Sequence, residues 1–223
     1  MRTFAPQLAV LPLAQRQVWP SLAGTIPLGF VLYGGTALAL RLGHRPSLDF
    51  DFFSDRPLDR AALAGALPLI QSGQVLQDDR ETWTLLVSPM PTAPPSVKLS
   101  FFGGLRLGRV GEPEQTDDGV ALVASRADLL ATKLKVLLQR VEAKDYLDIA
   151  ALLETGASLA QGLADARALY GATFQPSECL KALVYFQGGD LDMLSTQTRT
   201  TLITAAAAVG ALPVSSLRAR TLT

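Results

Sequence analysis

Two aspartates stand two residues apart in the stretch LDFDFF, residues 48–53. The alternation of apolar and acidic residues predicts a β-strand, with Leu48, Phe50 and Phe52 facing one side. Asp49 and Asp51 then share the other side, about 7 Å apart at the backbone. Two carboxylates this close repel each other unless a cation binds between them, and Mg²⁺ favours carboxylates together with phosphate oxygens. We therefore predict that both aspartates bind Mg²⁺, with Mn²⁺ as the alternative cation.

A pair of aspartates at this spacing also occurs in calcium loops and on solvated strands. A calcium loop of the EF-hand type is excluded, because Phe53 and Ser54 stand where that loop needs an oxygen ligand and a glycine. An edge strand with a solvated polar face remains the structural alternative. The glycine turn upstream favours the metal site over that alternative. A pair of metal-binding carboxylates and a phosphate-binding turn would together bind one nucleotide with its cation.

That turn is Gly34-Gly35-Thr36, which follows a short apolar run with strand character. Glycines let backbone N–H groups approach a phosphate, and the Thr36 hydroxyl can donate to it. Thr36 is also the expected N-cap of a helix over Ala37–Leu42 that ends at Gly43, and a helix N-terminus favours negative charge. The turn is neither a P-loop nor a dinucleotide fingerprint, because the lysine of the first and the third glycine of the second are missing.

A second group of charged residues is predicted on a helix over 131–153. Three cationic side chains would form one stripe at 3.6 residues per turn: Lys133, Arg140 and Lys144. Asp148 would lie beside this stripe, and Asp145 a little further round. A solvated helix face with pairs such as Lys144–Asp148 is the structural alternative. Cations grouped in this way also suit the charge of a triphosphate or of a leaving group.

The order of Gly-Gly-Thr, short helix and Asp-x-Asp strand resembles the polymerase-β-like nucleotidyltransferase superfamily. The string GGTALALRLGHRPSLDFDFF, together with the block from Lys133 to Asp148, is similar to the AbiEii/AbiGii toxin family within it. The resemblance implies an α/β (α+β) fold, in which a nucleotidyltransferase core with a mixed β-sheet flanked by helices is followed by a helical C-terminal part.

The resemblance also implies an activity and partners. A Mg²⁺-dependent enzyme would move a nucleotide from an NTP to an acceptor hydroxyl, with tRNA as one acceptor and an antitoxin protein as regulator. In the family a lysine and an aspartate of the second block are implicated in activity. They correspond to Lys133 and Asp148, with Asp145 as the rival for the acid, while Arg140 and Lys144 would be supporting phosphate contacts. The alternatives are an enzyme that nucleotidylates protein or transfers phosphoryl groups, and a nucleotide-binding module without catalysis.

The sequence departs from the superfamily at the strand expected to carry a third carboxylate. That strand, 96–101, holds Lys98 and Ser100 instead, which leaves the number of metal ions open. The acids at residues 78, 79 and 81 are interpreted as a solvated hairpin turn. His44 and Arg45 lie in the loop between the turn and the metal strand and are assigned no role.

The character of the chain changes at Ser125. Residues 1–124 alternate short apolar runs with turns, including a proline-rich loop at 90–95, and are expected to form the α/β core. Residues 125–223 keep a helical pattern and are expected to form the helical part that carries the second motif.

Composition limits the classes of function. The 223 residues include 20 Lys+Arg and 20 Asp+Glu, so no global positive field attracts nucleic acid. The single cysteine, Cys179, excludes an internal disulfide framework and a cysteine metal cluster. The apolar run 205–212 is shorter than the roughly 20 residues that span a bilayer, and Pro6 and Pro12 interrupt the N-terminal apolar stretch. We expect a cytoplasmic protein without a membrane partner.

Overall fold

The computed structural model describes residues 2–90, 94 and 96–223, so most of the predicted loop at 90–95 lies outside the described residues. Internal contacts divide the chain into two units. The first unit holds the chain up to Gly108 together with Glu112–Ser125 and Arg220–Thr223. The second unit holds Arg109–Gly111 and Arg126–Ala219.

One mixed sheet organises the first unit. Within the described residues its strands are β1 (Thr3–Phe4), β2 (Val31–Tyr33), β3 (Asp49–Phe53), β4 (Gln74–Asp79), β5 (Thr82–Val87), β6 (Val97–Phe102), β7 (Glu114–Thr116) and β8 (Leu122–Val123). Their spatial order is β1-β7-β8-β2-β3-β6-β5-β4. At the centre β3 runs antiparallel to β2 and parallel to β6. This sheet, together with its helices, confirms the expected mixed α/β fold class.

Three α-helices belong to the first unit: α1 (Leu13–Val18), α2 (Gly34–Leu42) and α3 (Arg60–Ala66). Five belong to the second: α4 (Arg126–Val136), α5 (Ala143–Glu154), α6 (Leu159–Tyr170), α7 (Pro176–Val184) and α8 (Thr196–Ala207). These counts refer to the described residues. Short 3-10 helices occur at Leu8–Val10, Trp19–Thr25, Pro68–Ser72, Gly171–Thr173 and Leu191–Met193. Among the helices described, none has the length and apolar character needed to cross a membrane.

Strand β3 has the predicted alternation. Phe50 and Phe52 are fully buried, and Phe52 stacks on Phe101 of β6 with ring centroids 5.5 Å apart. The prediction that Leu48 shares this apolar face is wrong, because Leu48 is 67% exposed. The reason is that pairing with β6 begins only at Asp49, so Leu48 precedes the sheet.

Helix α2 begins earlier than predicted. Its first residue is Gly34, and Tyr33 takes the cap position with extended backbone, so the assignment of Thr36 as N-cap is wrong. The chain turns from β2 directly into the helix because Gly34 adopts a φ of +73°, which favours glycine. Gly43 ends the helix in the left-handed conformation, as predicted.

The predicted helix over 131–153 is wrong as a single element, because α4 ends at Val136 and α5 starts at Ala143. Two features explain why α5 starts at Ala143. The Asp190 carboxylate accepts a hydrogen bond from the Ala143 N–H at 2.6 Å, and Asp145 places negative charge in the first turn of α5. The cationic stripe therefore does not lie on one helix.

Candidate active site

Asp49 and Asp51 lie on the partly exposed face of β3, as predicted. In the parallel pairing with β6, Asp49 stands opposite Lys98 and Asp51 opposite Ser100. The Lys98 Nζ lies 3.0 Å from Asp49 Oδ2. Asp49 is therefore paired with the Lys98 ammonium through one carboxylate oxygen, and its other oxygen can coordinate a metal.

Asp51 lies against the start of α2. Strand pairing sets Asp51 opposite Tyr33, the residue before the helix. Its Oδ2 is 2.6 Å from the point that a Cβ on Gly34 would occupy, so only glycine leaves room for this carboxylate. The first N–H groups of a helix have no acceptor within the helix, and its dipole favours negative charge there. A carboxylate and a group of anion-binding N–H donors thus meet at one place.

We expect Gly34→Ala to destabilise the first unit by about 1–2 kcal/mol, since a Cβ at positive φ is strained and would also displace Asp51. NTP binding should weaken in parallel. Gly65→Ala in α3 is the matched control, because a Cβ there meets nothing within 4 Å. Urea unfolding followed by tryptophan fluorescence measures both, since Trp19 and Trp83 belong to the first unit. Equal stability of the two variants would contradict the assigned strain.

Thr36 connects the helix to the metal strand. Its side chain is fully buried, and its hydroxyl donates a hydrogen bond to the Asp49 carbonyl oxygen. The hydroxyl therefore holds α2 and β3 together, while the Thr36 backbone N–H stays in the first turn of the helix. The prediction that the Thr36 hydroxyl donates to a phosphate is therefore wrong, because its one proton is used within the protein, and a phosphate contact through the Thr36 backbone N–H stays a prediction.

Arg45 and Ser47 lie beside the glycine turn, although neither was predicted from the sequence to belong to the site. A Cβ on Gly35 would come within 2.8 Å of Arg45 Nη2 and 2.9 Å of Ser47 Oγ. The guanidinium also donates to the Pro46 carbonyl oxygen at 2.8 Å, which holds it near the backbone. The loop 43–48 leads from the end of α2 to β3 and places Arg45 beside the glycine turn, a path that no pattern in the sequence reveals.

The described residues contain no group of three or more His, Cys, Asp or Glu side chains arranged to hold a metal. A cation here would therefore rest on Asp49 and Asp51, together with oxygens of the substrate. This donor set fits Mg²⁺, which commonly takes one or two carboxylates and completes its shell with phosphate oxygens and water.

The second motif forms an ion cluster inside the second unit, called here the Lys133 cluster, whose members are the buried Lys133, Asp145 and Asp148 and the exposed Arg140. Lys133 of α4 is only 5% exposed, and its Nζ lies 2.7 Å from Asp145 Oδ1 and 2.6 Å from Asp148 Oδ2. Arg140, in the connection between α4 and α5, binds Asp145 through two nitrogens at 2.8 and 3.0 Å. A single helix would have kept Lys133 and Asp145 about 18 Å apart along its axis, and the break between α4 and α5 brings them into contact.

Lys144 is outside this cluster. Its Nζ pairs with Glu142 at 2.6 Å, and both side chains are partly exposed. Of the three cations predicted to form a stripe, the structure joins Lys133 and Arg140 through Asp145, and leaves Lys144 in a surface ion pair.

The cluster changes the acidity of Asp145. Burial alone would raise its pKa, but the hydrogen bond from Arg140 and the charge of Lys133 outweigh burial and lower the pKa from the ordinary 3.8. Asp145 is therefore a carboxylate at neutral pH.

This shift predicts a pH dependence of stability. In the unfolded chain the Asp145 carboxyl protonates at its ordinary pKa, whereas in the folded protein it stays ionised to a lower pH. The stabilisation that it contributes is therefore present above about pH 4 and is lost as the pH falls through the pKa of the folded state. The free energy of unfolding of the second unit, from urea curves between pH 6 and pH 3, should fall less steeply in Asp145→Asn than in the unsubstituted protein. Parallel curves would show that Asp145 has no lowered pKa.

Comparison with known proteins identifies the class. The chain matches the family model described as nucleotidyl transferase AbiEii toxin, type IV toxin–antitoxin system, over residues 25–205. It belongs to this family, which confirms the nucleotidyltransferase class expected from the two motifs. An uncharacterized protein of Aquifex aeolicus is 31% identical over 122 residues, covering 54% of this chain and 55% of the relative. The chain thus matches about half the length of that curated relative.

Solved structures support the same fold. MenT4, a nucleotidyltransferase toxin from Mycobacterium tuberculosis, is similar with a TM-score of 0.55 and 18% identity, covering 89% of this chain and 83% of that one. An antigenic nucleotidyltransferase-like protein from Paracoccidioides brasiliensis has a TM-score of 0.53 and 18% identity, covering 89% and 94%. At this identity the likeness concerns the fold alone.

Proposed function

We propose that the protein is the toxin of a toxin–antitoxin pair and moves a nucleotide from an NTP to an acceptor hydroxyl, using Mg²⁺ or Mn²⁺. The observation that carries this proposal is the meeting of two carboxylates on β3 with the N-terminus of α2. Asp51 lies against Gly34 at that terminus, and Asp49 lies on the same strand face. This arrangement suits one ligand, a polyphosphate with its cation.

The proposed roles follow from these positions. The N–H groups of Gly34, Gly35 and Thr36 hold the β- and γ-phosphates, and Arg45 adds a guanidinium beside them. Asp49 and Asp51 hold the cation, which when bound neutralises phosphate charge and makes the α-phosphorus a better electrophile.

The reaction is an in-line displacement. The acceptor oxygen bonds to the α-phosphorus, the bond to the bridging oxygen breaks, pyrophosphate leaves, and the acceptor hydroxyl releases its proton to solvent water. Positioning and charge neutralisation supply most of the rate in such chemistry.

Lys133 and Asp148 are proposed to act in the same reaction, with Asp145 as the residue that orients Lys133. Their burial supports this role. Burying charged groups costs desolvation free energy, and clusters of buried charges are frequent at functional sites. Arg140 and Lys144 remain proposed phosphate contacts. The surface pair of Lys144 with Glu142 is weak and exchanges readily for a phosphate.

The test is a label-transfer assay with Mg²⁺, each of the four NTPs and total tRNA. Label from the α-phosphate appearing on RNA supports the proposal and a tRNA acceptor. The same label on protein indicates protein nucleotidylation, whereas transfer of γ-label indicates phosphoryl transfer. Nucleotide binding without pyrophosphate release from any acceptor would indicate a binding module. An adjacent reading frame whose product suppresses the activity would support the antitoxin partner.

A further inference from the structure

Lys98 stands where a second metal ion would need its ligand. Strands β3 and β6 are parallel neighbours in register, so Lys98 and Ser100 project from the same sheet face as Asp49 and Asp51. An acid at either β6 position would complete a three-carboxylate site. The chain has an ammonium at the first position and a small, neutral, buried hydroxyl at the second.

The position of the ammonium is specific. The Lys98 Nζ lies 3.0 Å from Asp49 Oδ2, so the ammonium occupies the approach to this carboxylate oxygen. Paired metal ions in such enzymes lie about 3.5–4 Å apart and are joined by bridging carboxylates. An ammonium has three donors and no lone pair, so it cannot coordinate a metal and repels one that approaches the same oxygen.

We propose that the Lys98 ammonium takes the place of a second metal ion, so that this site binds one divalent cation between Asp49 and Asp51. The inference rests on the proposed function and specifies its metal requirement. Lysine suits this role because its charge is compact and its flexible stem can follow the carboxylate. No group of three acids elsewhere among the described residues offers a second cation a site.

Charge balance in the free site, before a triphosphate binds, favours the same number. The two carboxylates and Lys98 sum to one negative charge, which a single divalent cation more than neutralises. A second divalent cation would meet a site that is already positive, before the triphosphate arrives. The fixed ammonium therefore supplies, without metal, part of the positive charge that a two-metal enzyme draws from its second ion.

The experiment counts Mn²⁺ by electron paramagnetic resonance, with a non-hydrolysable NTP analogue present. The unsubstituted protein should bind one Mn²⁺ per chain at the site, with the spectrum of an isolated ion. Lys98→Glu should bind two, and ions about 4 Å apart broaden each other's spectra by spin coupling. Lys181→Glu is the matched control, because it makes the same charge change at an exposed lysine that pairs with Glu178 on its own helix. This control should keep one ion.

Lys98→Gln provides a second measurement if the glutamate variant fails to fold. Removing the ammonium should tighten the single Mn²⁺ by about threefold or more, because the repulsion is gone. Two coupled ions in the unsubstituted protein, a folded Lys98→Glu that binds one, or an unchanged affinity in Lys98→Gln would each overturn the inference. Absence of bound Mn²⁺ from the unsubstituted protein would instead overturn the proposed function, so the two failures are distinguishable.

Discussion

Replacing Lys133 with methionine is expected to lower the free energy of unfolding of the second unit by about 3–5 kcal/mol. Methionine matches the lysine stem in length, so the loss is that of the charge. Lys133 bridges two fully buried carboxylates, and Asp145 retains Arg140 after the change. Most of the loss in stability comes from Asp148, because its buried carboxylate loses Lys133 as an ion-pair partner. Urea unfolding followed by the helical circular dichroism signal measures the change.

A paired substitution separates charge from packing. Lys133→Met combined with Asp148→Leu removes both ions of one bridge, and apolar replacements of buried pairs are often neutral in stability. The double variant should therefore regain most of the stability that the single variant loses. Lys144→Met is the control, because it removes a partly exposed lysine whose surface pair contributes only about 0–1 kcal/mol.

The activity of the double variant then decides the role of the cluster. A stable double variant that transfers no α-label shows that Lys133 and Asp148 act in the reaction. Activity that returns together with stability would show that the bridge only holds α4 to α5. The single variant cannot make this distinction, because unfolding alone removes its activity.

The parts of the fold that the sequence predicted are those set by local rules. The strand at Asp49 follows from period-two alternation, and Gly43 at the end of α2 follows from the need for a left-handed residue there. The family and its nucleotidyltransferase class were predicted from the same short motifs, and the family match confirms both.

Several features that the sequence did not predict depend on residues far along the chain. The break before Ala143 is fixed by Asp190, which is 47 residues away, and helical periodicity carries no information about that contact. The contact between Lys98 and Asp49 depends on the register between two strands separated in sequence, which spacing does not reveal. Arg45 was left out for a related reason, because its contact with the glycine turn depends on the path of a loop.

The second large effect is expected for the metal aspartates. Asp49→Asn and Asp51→Asn should each lower Mg²⁺-dependent turnover by about a hundredfold or more, since a bound cation contributes several kcal/mol to the transition state. Asparagine keeps the shape of aspartate and one oxygen, so the fold should be retained. Isothermal titration calorimetry of NTP with Mg²⁺, followed by the label-transfer assay, measures binding and turnover separately.

Asp79→Asn is the control for these variants, because it neutralises an exposed acid of the first unit on the edge strand β4 and should leave both measurements unchanged. Asp51→Asn should weaken nucleotide binding more than Asp49→Asn does. Asp51 lies against the helix terminus where the phosphates are proposed to bind, whereas Asp49 already shares its charge with Lys98. If both variants keep full Mg²⁺-dependent binding and turnover, the metal does not rest on this strand, and the acidic side of β3 is only a solvated face of the sheet.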